Sequence, residues 1–206
     1  MSAGNPDEAT AQATPGERAA AVAAFVEAAG GLSTAGYVQT SSSTAVLADT
    51  AGQHVRGAAT SAACDGIARL DGADGVARSM AGRLADLSPA ALGARAAAKA
   101  RAGVDAIPVD PGRYPVVLEP AAVADVVGGL VSGQFNGKAV VDGTSGLQLG
   151  SPQFDPAVSL ADDPLAGVGL PFDTEGTPAQ RTELVRDGVP VGLTTCLLYT
   201  SDAADE

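Results

Sequence analysis

The stretch that decides the reading runs Asp110-Pro-Gly-Arg-Tyr-Pro-Val-Val-Leu-Glu-Pro-Ala-Ala-Val-Ala-Asp-Val-Val-Gly-Gly-Leu-Val-Ser-Gly133. Pro111-Gly112 has turn chemistry, and the aromatic and β-branched run Tyr114–Leu118 predicts a buried strand. Pro120 suits the first turn of a helix. Val123, Val126, Val127, Leu130 and Val131 then recur at i, i+3, i+4, i+7 and i+8, which puts them on one helical face and predicts a core that covers it.

Outward from this unit the chain is organised by its breakers. Residues 1–13 are small and polar without periodicity and are expected to be disordered or a linker. Thr14-Pro15-Gly16-Glu17 has the spacing of a capping box, with apolar positions Val22, Phe25, Val26 and Ala29 following and Gly30-Gly31 ending the helix. Residues 35–80 read as short strands broken by Ser41-Ser42-Ser43, Gly52, Asp65-Gly66, Asp71-Gly72 and Asp74-Gly75, an antiparallel meander. Ser88-Pro89 opens a second, alanine-rich helix that closes near Gly103. Residues 143–178 are dense in glycine, proline and aspartate and predict little regular structure. Glu183–Arg186 and Val189–Leu193, joined by Asp187-Gly188, predict a hairpin.

Composition bounds the function. With 46% apolar residues in 206, the chain is globular, and no apolar run approaches the roughly twenty residues of a membrane span. Met1-Ser2-Ala3 opens without the basic and apolar regions of a signal peptide, so the expected location is cytoplasmic. Aromatics are 3% and tryptophan is absent, which predicts a core of alanine, valine and leucine. The net charge of −12 without basic clusters argues against nucleic-acid or anionic-membrane binding. The final residues, Cys196 to Glu206, resemble the in-frame translation of a transposon-end sequencing adapter, and the coding sequence is expected to stop near Thr195. Without them 12 basic residues face 21 acidic ones, a net charge of −9, and Cys64 is the one remaining cysteine.

Several ordered segments resemble the TldD/PmbA family: Ala29-Gly30-Gly31, Asp110–Pro120, Ser159–Pro164, Phe172–Pro178 and Arg186-Asp187-Gly188. The resemblance covers most of residues 17–195 and is expected to break at Thr195. It implies an internal fragment with an α+β fold: an antiparallel meander with flanking helices, followed by the truncated start of a β-rich C-terminal domain. The expected division is a disordered segment or linker over 1–16, a middle α+β domain over 17–104, the start of the C-terminal domain over 105–195, and an adapter artefact over 196–206. Catalytic members of that family carry His-Glu-x-x-x-His on the helix after this strand. Counting from Val116-Val117-Leu118, those places fall on Gly128, Gly129 and Gly133. The resemblance therefore implies a metal-free, PmbA-like non-catalytic subunit, with zinc only in a TldD-like peptidase partner, and a peptide or unfolded protein as substrate. The alternative is a stand-alone, non-enzymatic peptide-binding or assembly module.

Weighed residue by residue, the chain supplies no catalytic, cofactor or metal site. A catalytic zinc needs about three protein ligands, and the candidates are one histidine, His54, read as an exposed strand residue, and Cys64, read as a small core filler. Gly143-Thr144-Ser145-Gly146-Leu147 misses the second glycine of a nucleophile elbow and has no nearby base. Gly128, Gly129 and Gly133 lack the spacing and lysine of a phosphate loop. Asp71-Gly72-Ala73-Asp74-Gly75 lacks the acidic residue that closes a calcium loop. Asp162-Asp163 and Asp173 with Glu175 read as solvated turns. The helical glycines fit either of two accounts: close approach of a partner at Gly129 and Gly133, or an early end to the helix.

Overall fold

The structure, a computed structural model, describes residues 2–3, 6–166 and 168–195. Cys196–Glu206, and with them the adapter reading, lie outside the described residues. The fold is α+β, and the described residues divide into two compact units, one comprising residues up to 116 with 168–171 and the other 117–166 with 172–195.

The first unit is a two-layer α/β sandwich. Its sheet has β2 (Ser33–Ala48), β3 (His54–Leu70) and β4 (Ala73–Ala81) as an antiparallel meander, with β1 (Ser2–Ala3) parallel to β3 at Arg56 and Gly57. Register runs unbroken from Ser33 opposite Arg69 to Ala48 opposite His54. The expected meander is present, with fewer and longer strands than the breakers suggested. Only the Gly52 region and Asp71-Gly72 turn the chain. Positive φ at both Asp71 (49°) and Gly72 (85°) makes a two-residue turn whose twist matches the flanking strands. Ser41-Ser42-Ser43, Asp65-Gly66 and Asp74-Gly75 lie inside strands.

The reason lies on the opposite layer. β3 buries Thr60, Ala62, Cys64, Gly66 and Ala68, a period of two, against α2 (Pro15–Ala28) and α3 (Pro89–Gly103). A Cβ on Gly66 would enter the Phe25 ring, one on Gly75 would meet the Ala96 carbonyl, and one on Gly93 would meet the Phe25 carbonyl. Gly66 and Gly75 let layers touch where the sequence suggested turns, and Gly93 does the same from within α3. The core they close is built from Ala62, Ala68, Ala96, Ala97 and Ala100 around Phe25 and Leu92. Small residues at close spacing replace the missing aromatic volume. Val22 and Val26, placed on the same α2 face by the sequence, stay exposed beside it.

Both helix starts follow the sequence. Thr14 Oγ1 accepts from Glu17 N while Glu17 Oε2 accepts from Thr14 N at 2.7 Å, a complete capping box. Ser88 occupies the N-cap of α3 without a side-chain bond.

The expectation of disorder or a linker at the N-terminus is corrected. α1 (Glu8–Ala11) is helical, and its Thr10 is 1% exposed. Thr10 Oγ1 donates to Asp7 Oδ2 and accepts from Leu84 N, while Thr60 Oγ1 accepts from Asp7 N and donates to the Gly82 carbonyl. Two hydroxyls thus tie α1 to β3 and to the chain after β4. Polar composition suggested disorder because each hydroxyl meets its partner only across the fold.

In the second unit α4 (Pro120–Gln134) and α5 (Gly137–Val141) precede a three-stranded antiparallel sheet of β5 (Leu160–Asp162), β6 (Thr182–Arg186) and β7 (Val189–Pro190). The expected hairpin is β6–β7, turning at Asp187 (φ 48°) and Gly188 (φ 81°). The Gly188 carbonyl accepts from Gln153 and Phe154 N, and its N–H donates to Val158 O. The turn thereby anchors part of the long loop that precedes β5. Phe135, Leu147, Leu184 and Val185 form the core, with Phe135 stacked on Phe154 at 6.4 Å between ring centroids.

Tyr114–Leu118, expected as a buried strand, is corrected. It pairs with no described strand, all five residues are exposed, and Val117 is 100% exposed. Its β-forming residues follow the pattern of a strand, but none of the strands described here lies beside it to accept a ladder.

Candidate functional site

The site to be tested is α4, the helix whose glycines stand at the His-Glu-x-x-x-His places. Pro120 at its first turn presents no N–H, and Val123 N closes the first intrahelical bond onto Glu119 O. The helix then runs through Gly128, Gly129 and Gly133 to Gln134, so the glycines do not end it early. Phe135 N donates to Val131 O, and Ser132 Oγ donates to Gly129 O.

Packing splits α4 lengthwise. Leu130 and Val131 lie against the core of Phe135, Leu147, Leu184 and Val185. Val123 and Val126 are exposed, Val126 at 64%, so the expected core covers only the C-terminal end of the stripe. A Cβ built on Gly128, Gly129 or Gly133 would meet no atom within 4 Å. Each of the three positions is uncovered, and nothing in the described packing requires glycine there.

Their angular placement also matters. On a regular helix positions 128 and 133 are separated by about 140° of rotation and about 7.5 Å of rise, whereas 129 and 133 share a face. Gly129 and Gly133 therefore form one smooth strip, and Gly128 lies beside it.

The C-terminal end of α4 is fixed by amide and hydroxyl bonds. Gln134 Oε1 accepts from Gly146 N at 2.9 Å, and Ser145 Oγ donates to Gln134 O at 2.8 Å and accepts from Leu147 N. Ser145 is thus engaged in holding a loop, and His54, the one histidine of the sequence, belongs to the other unit. Gln153 braces the same loop, donating to Gly146 O and accepting from Gln148 N.

The remaining candidates separate rather than converge. His54 and Cys64 lie ten places apart on β3, about 33 Å along a strand, too far to share an ion. His54 is exposed; Cys64 is 2% exposed, and its burial, with Asp65 nearby, pushes its thiol above the ordinary value, which favours the neutral form. Among the described residues no group of three or more histidine, cysteine, aspartate or glutamate side chains is placed to hold a metal ion.

Asp173 Oδ1 accepts from Glu175 N and Thr177 N, an Asx-type turn. Asp163 Oδ1 accepts from Ala166 N and its other oxygen lies 3.8 Å from Arg181. Arg69 holds Asp74 by two bonds across the β3–β4 hairpin, at 2.5 and 2.7 Å, so Asp71-Gly72 is the turn and the Asp74 carboxylate, on β4, is engaged across the ladder. Among the described residues no helix is long and apolar enough to cross a membrane.

Residues 111–205 match the model of the PmbA/TldA metallopeptidase C-terminal domain, and the match continues past Thr195, where the resemblance was expected to break. No curated protein matches. Among solved structures, a candidate modulator of a DNA gyrase from Thermotoga maritima MSB8 superposes with a TM-score of 0.76 at 23% identity, over 89% of this chain and 46% of that one. A candidate modulator of DNA gyrase from Bacteroides thetaiotaomicron VPI-5482 gives 0.76 at 19% identity, over 91% and 46%. TldE from Thermococcus kodakarensis gives 0.70 at 18% identity, over 93% and 47%. The chain shares the fold of these proteins and spans about half their length.

Proposed function

We propose, from the match of residues 111–205 to the model of the PmbA/TldA metallopeptidase C-terminal domain, that this chain is the non-catalytic subunit that supports a TldD-like zinc peptidase in processing peptides or unfolded protein. One observation carries the reading. At the three places where the resemblance puts two zinc-binding imidazoles and the carboxylate that works on the metal-bound water, α4 presents Gly128, Gly129 and Gly133. A helix that keeps glycine at exposed interior positions forgoes about 1 kcal/mol at each relative to alanine. Close seating of a partner against Gly129 and Gly133 accounts for that cost, since here the described structure leaves open space.

In this reading zinc resides in the partner, and this chain contributes surface and positioning. The cytoplasm is the compartment that fits a chain whose cysteine inside the domain is a buried thiol. With a net charge of −12, the modulation of gyrase named for two of the relatives would reach this chain through protein contacts rather than DNA.

The experiment is co-purification with a chain bearing His-Glu-x-x-x-His, followed by peptide hydrolysis and metal analysis of each component. The expected result is a stable complex, hydrolysis with the pair, and zinc in the partner only. Hydrolysis by this chain in isolation, or no association with the zinc subunit, overturns the proposal. Peptide binding by this chain with no partner present would favour the stand-alone binding module.

A further inference from the structure

Asn136-Gly137 is the one asparagine–glycine pair of the sequence. Glycine has no side chain to shield its amide, so in an open chain the Gly137 nitrogen can attack the Asn136 carboxamide carbon and close a cyclic imide. The folded chain holds the participants away from that reaction. Gly137 is buried, and its N–H donates to Thr194 O at 2.9 Å. Asn136 is the N-cap of α5, and its Oδ1 accepts from Lys138 N at 3.0 Å, which turns the carboxamide toward the helix. Its ψ is 118°, whereas ring closure needs about −120°, where Gly137 N eclipses the Asn136 Cβ, so the reacting atoms stand a rotation of about 120° from near-attack geometry. Thr194 completes the clamp, its N and Oγ1 both donating to Phe135 O, at 2.8 and 3.0 Å.

We propose that Asn136 is a deamidation site gated by this clamp, closed while Thr194 sits on the joint between α4 and α5 and reactive when residues 193–195 lift away. Opening frees the Gly137 N–H and lets ψ of Asn136 rotate. The Gly137 nitrogen then gives up its proton and bonds to Cγ of Asn136. The bond from Cγ to Nδ2 breaks, and the amide nitrogen leaves as ammonia with that proton. Water opens the imide at either carbonyl and yields aspartate or isoaspartate, with no change of oxidation state. Aspartate caps α5 again, since it serves as an N-cap as well as asparagine does. Isoaspartate routes the backbone through the former side chain, which adds a methylene before Gly137 and carries its N–H out of register with Thr194 O. That product records the opening, because the clamp no longer closes on it. Every group involved lies in the second unit, and the inference does not depend on the proposed peptidase partner.

Peptide mapping by mass spectrometry of the 206-residue chain tests it, after incubation in mildly alkaline buffer with and without denaturing urea and with circular dichroism as the check on folding. Asn5, the other asparagine, is the internal control, since Pro6 after it has no N–H to lose. The expected result is conversion at Asn136 alone, at least about tenfold faster in urea than in the folded chain. Thr194→Gly loosens the clamp and should speed conversion in buffer while leaving the rate in urea unchanged. Thr194→Val keeps the backbone pair, loses only the hydroxyl bond to Phe135 O, and should speed it less. Thr14→Ala, which weakens a cap in the first unit, should leave the rate unchanged. Equal rates with and without urea, no conversion of Asn136 in urea, folded Thr194 variants that convert no faster than the parent chain, or equal acceleration by Thr14→Ala overturns the proposal.

Discussion

Gly93 and Gly75 sit where a methyl group has no room. Gly93→Ala would drive a carbon into the Phe25 carbonyl, and the neighbours are backbone, which cannot swing aside. Destabilisation of about 1–3 kcal/mol is expected, read as a lower midpoint in urea. Thr60 is a second single-residue test. Its hydroxyl bridges Asp7 N and Gly82 O, so Thr60→Val leaves both unpaired in a buried setting and should cost about 1–3 kcal/mol, with exchange protection lost first around Asp7–Ala11. Neither role could be read from the sequence. Gly75 looked like punctuation beside Asp74, and Thr60 like one more small polar residue in a strand. Cys64 was legible as a core filler because a small apolar thiol in an alternating strand has few other uses.

Helix ends are the elements that local sequence specifies best, since the N-cap and its partner are three residues apart. Thr14→Ala should cost about 1 kcal/mol in thermal or urea melts. The cap is also acid-sensitive. Thr14 N, donating to the Glu17 carboxylate, holds that group below its ordinary range, so the stabilisation is complete above the unfolded pKa near 4.3 and is lost as pH falls through the lower folded value. Asp7, held low by the Thr10 hydroxyl and amide, follows the same sign. Melts at pH 7 and pH 3 should therefore show Glu17→Ala destabilising less in acid, where the carboxylate it removes is already neutral. On α4 the direction reverses. Gly129→Ala fills open space on an exposed helix and should stabilise the isolated chain by about 1 kcal/mol. Gly129→Leu should leave the isolated chain folded while weakening any partner seated there, which separates docking from helix stability.

At the scale of the whole molecule the donor inventory predicts no stoichiometric zinc. One histidine and one described cysteine, far apart on β3, cannot supply three ligands, so metal analysis after dialysis should find well under one equivalent. One retained equivalent would refute the assignment of zinc to the partner. Installing histidine at Gly128 and Gly133 is not expected to restore a site unaided, because it supplies two of the roughly three protein ligands that a catalytic zinc needs.

The sequence by itself determined the helix starts at Pro15, Pro89 and Pro120, the turns at Asp71-Gly72 and Asp187-Gly188, and the α+β class. These depend on dihedral preferences and bonds between near neighbours, which act wherever the chain lies. It also determined that Gly128, Gly129 and Gly133 carry no ligand atoms. Only the tertiary structure decided which glycines are turns and which are contacts. Gly66 and Gly75 are strand residues because helices press on them, and residues 7–11 are ordered because hydroxyls of Thr10 and Thr60 meet distant partners. The same holds for Tyr114–Leu118: its residues favour a strand, but a strand exists only where another backbone lies alongside to complete its hydrogen bonds.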